Sequence, residues 1–112
     1  MQRIFACAMA LASMIAIANA ESGIASVYST KEGTQTASGV RLRDCALTAA
    51  HKSLRLGSKA RVTNLRNHKS IVVTITDRGP YVRGRIIDLT PAGASALGMD
   101  GLAPVTVEAL GK

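Results

Sequence analysis

Tryptophan is absent from this chain of 112 residues, and its aromatic set is one phenylalanine and two tyrosines. The phenylalanine lies at position 5, so Tyr28 and Tyr81 are all that the rest of the chain offers. Single-strand nucleic-acid binders need a row of stacking rings, which argues against nucleic acid as a partner. Cysteine is nearly as scarce, with only Cys7 and Cys45. Histidine is limited to His51 and His68, and no pair of these residues has the spacing of zinc ligands. No metal and no cofactor is expected. Acidic residues are outnumbered two to one, giving a net charge of +7. Such a surface favours an anionic polymer or an anionic surface. Beyond residue 20 no stretch approaches the ~20 apolar residues of a membrane span.

The first twenty residues, MQRIFACAMALASMIAIANA, carry Arg3, then an apolar run from Ile4 to Ile17, and close on Ala18-Asn19-Ala20. That is the pattern of a secretory signal peptide with a small-x-small cleavage site; the alternative is an uncleaved N-terminal anchor. Cleavage leaves a domain over residues 21–112, exported to the periplasm or cell envelope, with no stable membrane insertion. Its 92 residues suffice for one small domain and not for two. Arg3 leaves with the signal, so the exported charge is +6. Cys45 becomes a lone thiol, so the core holds without an internal disulfide. A small buried apolar role is expected for it, with a reactive thiol as the alternative.

The remainder reads as short alternating runs cut by turn residues. GIASVYS (residues 23–29) places Ile24, Ser26 and Tyr28 on one face and Ala25 and Val27 on the other, the period of a strand. KEGTQTASG is a polar loop. ARVTNL and SIVVTIT form two strands of a hairpin turning at residues 66–69. RIIDL is a further strand. Thr90-Pro91 then offers an N-cap with proline in the first helical position, and AGASALG ends a short helix at Gly98. APVTVEAL closes the chain as a last strand. About six strands and one helix in so few residues predict a mainly β fold, small and closed so that no strand edge is left open.

Within this frame, TITDRGPYVRGRIIDL (residues 74–89) holds two carboxylates, Asp77 and Asp88, with Arg78, Arg83 and Arg85 between them. Charges beside buried strands are costly unless paired or used. Asp77 is either a turn-capping aspartate bonded to its own loop amides or a groove carboxylate. Asp88 is either a buried structural carboxylate or a functional one. His51, after the short run LTAA, is either a satisfied structural histidine or a groove residue. His68, in the hairpin turn, reads as solvated.

GIASVYS, TASGVRLRDCALTAAHKSLRLGSKARVTNL, VVTITDRGPYVRGRIIDLTPAGASALGM and GLAPVTVEAL, in this order, resemble the rare lipoprotein A family of bacterial envelope proteins. The resemblance spans about residues 23–110. It implies a six-stranded double-psi β-barrel related in fold to expansins, and an endolytic lytic transglycosylase acting on peptidoglycan glycan strands, preferably free of stem peptides. A monomer is expected, and without the C-terminal glycan-binding domain that longer members carry, its barrel has to find the strand alone. The family's site residues carry over to His51 and Asp77 as catalytic groups. Asp77 is expected as the acid/base and His51 as its assistant. Asp88, Arg78, Arg85 and Tyr81 are expected to bind substrate. The family's acidic residue after TASG falls on Val40 and its next acidic position on Arg43, with Asp44 one residue beyond. Val40 favours an alternative, a non-catalytic glycan-binding or expansin-like barrel.

Overall fold

A computed structural model describes residues 20–111. The predicted signal segment, save Ala20, lies outside the described residues. Six strands, β1 (Ala20–Val27), β2 (Thr48–His51), β3 (Lys59–Asn64), β4 (Ser70–Asp77), β5 (Arg85–Leu89) and β6 (Ala103–Gly111), close into a barrel ordered β1-β5-β2-β4-β3-β6. One helix, α1 (Pro91–Ala96), follows β5. The mainly β, closed, single-helix fold expected from the sequence is the fold observed. No helix among the described residues is long and apolar enough to cross a membrane.

Alternation explains the barrel. Val62, Val73, Ile75, Ile87, Leu89 and Val105 point inward and are fully buried, with Leu97 from the end of α1 joining them. Their β-branched and leucine side chains fill the interior that six short strands enclose. Thr90 caps α1 by accepting a hydrogen bond from Gly93 N through its side chain, and Pro91 takes the first helical position, as predicted.

Four of the six ladders are antiparallel. The other two, β1 with β5 and β2 with β4, are parallel. Each parallel ladder contains one register shift, at Ile24/Ala25 and at Ala49/Ala50. The shifts skip Ile86 of β5 and Thr76 of β4, and bulges of this kind re-aim the side chains that follow. In both strands the next functional residue is an aspartate. Strand β2 was not identifiable from sequence. It is four residues long, nearly all buried, and has two alanines where a propensity argument needs β-branched residues.

Candidate functional site

Beyond the two bulges, four strands line up one rung. Ser26 of β1 pairs with Asp88 of β5, Asp88 with Ala50 of β2, and Ala50 with Asp77 of β4. Neighbouring strands lie ~4.8 Å apart, so the two aspartate backbones are about 10 Å from each other. Ala50 between them carries only a methyl group and is itself buried.

The two carboxylates have different surroundings. Asp77 Oδ1 accepts hydrogen bonds from Ala37 N at 2.9 Å and from Arg78 N at 2.9 Å. The turn-capping role therefore exists, and it fixes the carboxylate while Oδ2 takes no hydrogen bond from the described residues. Asp88 is half-buried and accepts a close hydrogen bond from Ser26 Oγ. Burial pushes its pKa up, the Ser26 bond opposes this, the Glu32 charge raises it, Arg85 lowers it and Asp77 raises it.

Tyr28 completes the cluster. Its hydroxyl and that of Thr76 are both buried with no hydrogen-bond partner among the described residues, although the two are near enough for Thr76 to affect the Tyr28 proton. The Tyr28 pKa is pushed up to about 12, first by burial and then by the charge of Asp77, with Thr76 lowering it and Asp88 adding a smaller rise. Both aspartates thus act electrostatically on one phenol. Neither Ser26 nor Tyr28 was expected in the site; their shared face on the predicted strand is the one sequence signal that could have linked them.

The loop before β2 lies over this cluster. Ser38 N donates to Thr76 O at 3.0 Å, and Leu42 N donates to Thr34 O at 2.8 Å. Beside Asp77's loop contact is a hollow of about 410 Å³ lined by Thr34, Gln35, Thr36, Gly39 and Arg41. That volume is in the range of ligand sites, and Thr34, Gln35, Thr36 and Arg41 bring polar side chains to it. Val40 is 55% exposed on the same loop. Asp44 does not replace the missing acid, because both of its oxygens are bonded to Thr30, Oδ1 from the amide at 2.8 Å and Oδ2 from the hydroxyl at 3.1 Å.

Other expected site residues lie elsewhere. His51, one residue beyond Ala50, pairs with the inward-facing Ile87 rather than with an aspartate. Its ring is buried: Nδ1 accepts from Ser53 N and Leu54 N, both at 3.1 Å, and Nε2 meets Glu21 Oε1 at 2.8 Å. Both nitrogens are engaged, so the expectation that His51 shares a proton with Asp77 or polarises substrate does not match its geometry. Arg78 Nη1 donates to His51 O at 3.2 Å and to Leu54 O at 2.5 Å. Its guanidinium ties two loops together and does not stand free over the groove. Arg85 lies close enough to lower the Asp88 pKa. Tyr81 is 77% exposed on the loop after Asp77. Cys45 is exposed, contrary to the buried role expected for it, because it sits in the irregular stretch before β2. No cluster of metal-ligating side chains occurs among the described residues.

A family model described as lytic transglycolase matches residues 6–107. The chain belongs to the lytic transglycolase family. Curated members agree with this. The "Probable endolytic peptidoglycan transglycosylase RlpA" of Nostoc sp. is 52% identical over 95 residues, covering 80% of this chain and 26% of that protein. The "Endolytic peptidoglycan transglycosylase RlpA" of Pasteurella multocida is 52% identical over 83 residues, covering 73% of this chain and 28% of its own length. That of Campylobacter jejuni is 41% identical over 102 residues, 88% of this chain and 37% of the relative. The chain therefore spans between about a quarter and two fifths of the length of these lytic transglycolase relatives. Among solved structures, the Streptomyces papain inhibitor superposes with a TM-score of 0.59 at 19% identity, covering 80% of this chain and 92% of the other. This likeness concerns the fold alone, the double-psi β-barrel.

Proposed function

We propose that this barrel is an endolytic lytic transglycosylase of peptidoglycan, cutting the bond between N-acetylmuramic acid and N-acetylglucosamine and leaving a 1,6-anhydro end. The observation that carries this reading is the rung with Asp77 and Asp88 in unlike surroundings, next to this hollow, in a chain about half identical to named transglycosylases. Titratable groups whose environments differ are the ordinary source of an acid and a base in one site.

In this reaction no water enters. The C6 hydroxyl of the muramic acid attacks its own anomeric carbon, a new C1–O6 bond forms and the C1–O4 bond to the next sugar breaks. One proton must reach the departing O4 and one must leave O6. The expectation of a single acid/base at Asp77 becomes a division of labour. Asp88, the carboxyl whose pKa burial raises, is assigned the delivery of a proton to the leaving oxygen. Asp77, held by two amides with Oδ2 free of bonds from the described residues, takes the proton from O6.

Binding follows from the lining. Thr34, Gln35 and Thr36 offer hydroxyl and amide groups to sugar hydroxyls and acetamido groups, and Arg41 offers a cation. A strand without stem peptides exposes the lactyl carboxylate of muramic acid, which suits Arg41. Tyr81, exposed on the loop after Asp77, and Arg85, near Asp88, are the further contacts offered to substrate. The protein acts as a monomer, exported to the periplasm or cell envelope by the segment over residues 1–20. A second reading, a non-cutting glycan-binding or expansin-like barrel, is favoured by one observation, the exposed Val40 in place of an acid. Incubating the protein with glycan strands, with and without stem peptides, and analysing soluble products by mass spectrometry tests the pair. Anhydro-ended fragments establish cleavage, and retention on strands without fragments establishes the binding module.

A further inference from the structure

His51 does not touch the carboxylate rung, yet its surroundings lead there through an unbroken series of bonds. Two backbone amides, Ser53 N and Leu54 N, donate to Nδ1 at 3.1 Å. A nitrogen that accepts twice carries no hydrogen, so the ring proton of the neutral imidazole is on Nε2. Glu21 Oε1, at 2.8 Å, accepts it. The turn fixed by these amides presents two carbonyls, His51 O and Leu54 O, to Arg78 Nη1. Arg78 N in turn donates to Asp77 Oδ1 at 2.9 Å. We infer that Glu21 and His51 are a positioning pair: Glu21 selects the Nε2–H tautomer, the bare Nδ1 shapes the turn after β2, and that turn sets Arg78 and Asp77. The inference deepens the transglycosylase reading and rests on it for the effect on rate.

Glu21 lies on β1, far in sequence from the residues it serves. Its side chain is half exposed while the His51 ring is buried. A carboxylate so placed orients a histidine whose other nitrogen is occupied, the second-partner role seen wherever a histidine tautomer must be fixed. The turn itself imitates an Asx turn, with Nδ1 in the place of an asparagine Oδ1, accepting from the amides two and three residues on.

That imitation supplies the test. In His51→Asn the side-chain oxygen accepts the same two amides but no ring proton remains. A positioning role predicts that His51→Asn keeps activity within about tenfold of the parent while His51→Ala loses far more. An acid/base role predicts that both lose about 10²–10⁴-fold. Glu21→Gln, which still accepts from Nε2–H, retains activity, and Glu21→Ala lowers it several-fold. Nitrogen-15 NMR of the parent protein shows the Nε2–H tautomer of His51, and Glu21→Ala gives a mixture of tautomers. The Arg78 amide resonance shifts in His51→Ala and stays in place in His51→Asn. Equal inactivity of His51→Asn and His51→Ala beside an active parent, or an Nδ1–H tautomer in the parent, overturns the inference. A parent that releases no anhydro product refutes the proposed function instead, and the tautomer and the Arg78 resonance then judge the positioning pair on their own.

Discussion

Asp77 and Asp88 stand on one rung of the barrel, one strand apart, with the methyl group of Ala50 between them. Each follows a skipped residue in a parallel ladder, and each raises the pKa of the same phenol, Tyr28. Their chemistry is testable one residue at a time.

Asp77→Asn and Asp88→Asn should each reduce the yield of anhydro-ended fragments by about 10²–10⁴-fold, the usual contribution of a positioned acid or base. The asparagine at position 77 keeps an oxygen for the Ala37 and Arg78 amides, so circular dichroism should be unchanged. Combining the two should cost little beyond the worse single variant, since groups that act in one step are not additive. Full cleavage by either variant removes that residue from the mechanism.

The phenol reports on both carboxylates. Ultraviolet titration should find one tyrosine ionising at about 12. Asp77→Asn should lower that midpoint more than Asp88→Asn, because the Asp77 charge is the larger of the two influences. Equal midpoints in all three proteins would place the carboxylates too far away to matter.

Stability should carry the Asp88 signature. A carboxyl with a raised folded-state pKa keeps its proton while the unfolded chain has released its own, so the folded state loses relative stability as pH rises through that window. Asp88→Asn lacks this loss. Its melting temperature relative to the parent should therefore increase as pH rises above the ordinary aspartate value of 3.8. A constant difference across that range would mean the carboxyl is not perturbed.

Gly23 tests the bulge in the first parallel ladder. A Cβ at this position would stand 2.5 Å from Ile86 Cγ2 and 3.0 Å from Ile86 Cγ1. Isoleucine is stiff about its first torsion and cannot swing aside freely. Gly23→Ala should destabilise by about 1–3 kcal/mol in denaturant unfolding. Adding Ile86→Ala should recover part of the loss, and purely additive effects would show that the two side chains do not compete for the space.

Position 40 is where the resemblance implies an acid and this chain has a valine. Val40 is exposed, so Val40→Glu should leave the fold intact. A carboxylate on the loop that covers Asp77 adds a charged acceptor for a sugar hydroxyl, and about tenfold more product is expected from one such bond. An unchanged yield in mass spectrometry would show that the acid at this position is dispensable here.

Local order was legible in the residues. Alternation marked β1, β3, β4, β5 and β6, and the Thr90-Pro91 pair marked the start of α1, because period and capping act within a few residues of chain. Strand β2 was not marked, since Ala49 and Ala50 are strand residues only by virtue of the neighbours that bury them. The same limit applied to the site. Asp77 and Asp88 drew notice as charges beside apolar strands, but nothing near them in sequence showed that Ser26, Tyr28 and the loop over residues 34–41 would join them.

The amino-acid sequence settled the kind of fold and every strand but β2 and nominated both carboxylates, because hydrophobic period, turn chemistry and charge are local properties. The pairing of strands settled the rest. Two parallel ladders with one skipped residue each brought Asp77 and Asp88 onto a common rung, and barrel closure set Glu21 of β1 against His51 of β2. Such relationships depend on register between distant segments, which are fixed only when the whole barrel buries its interior face.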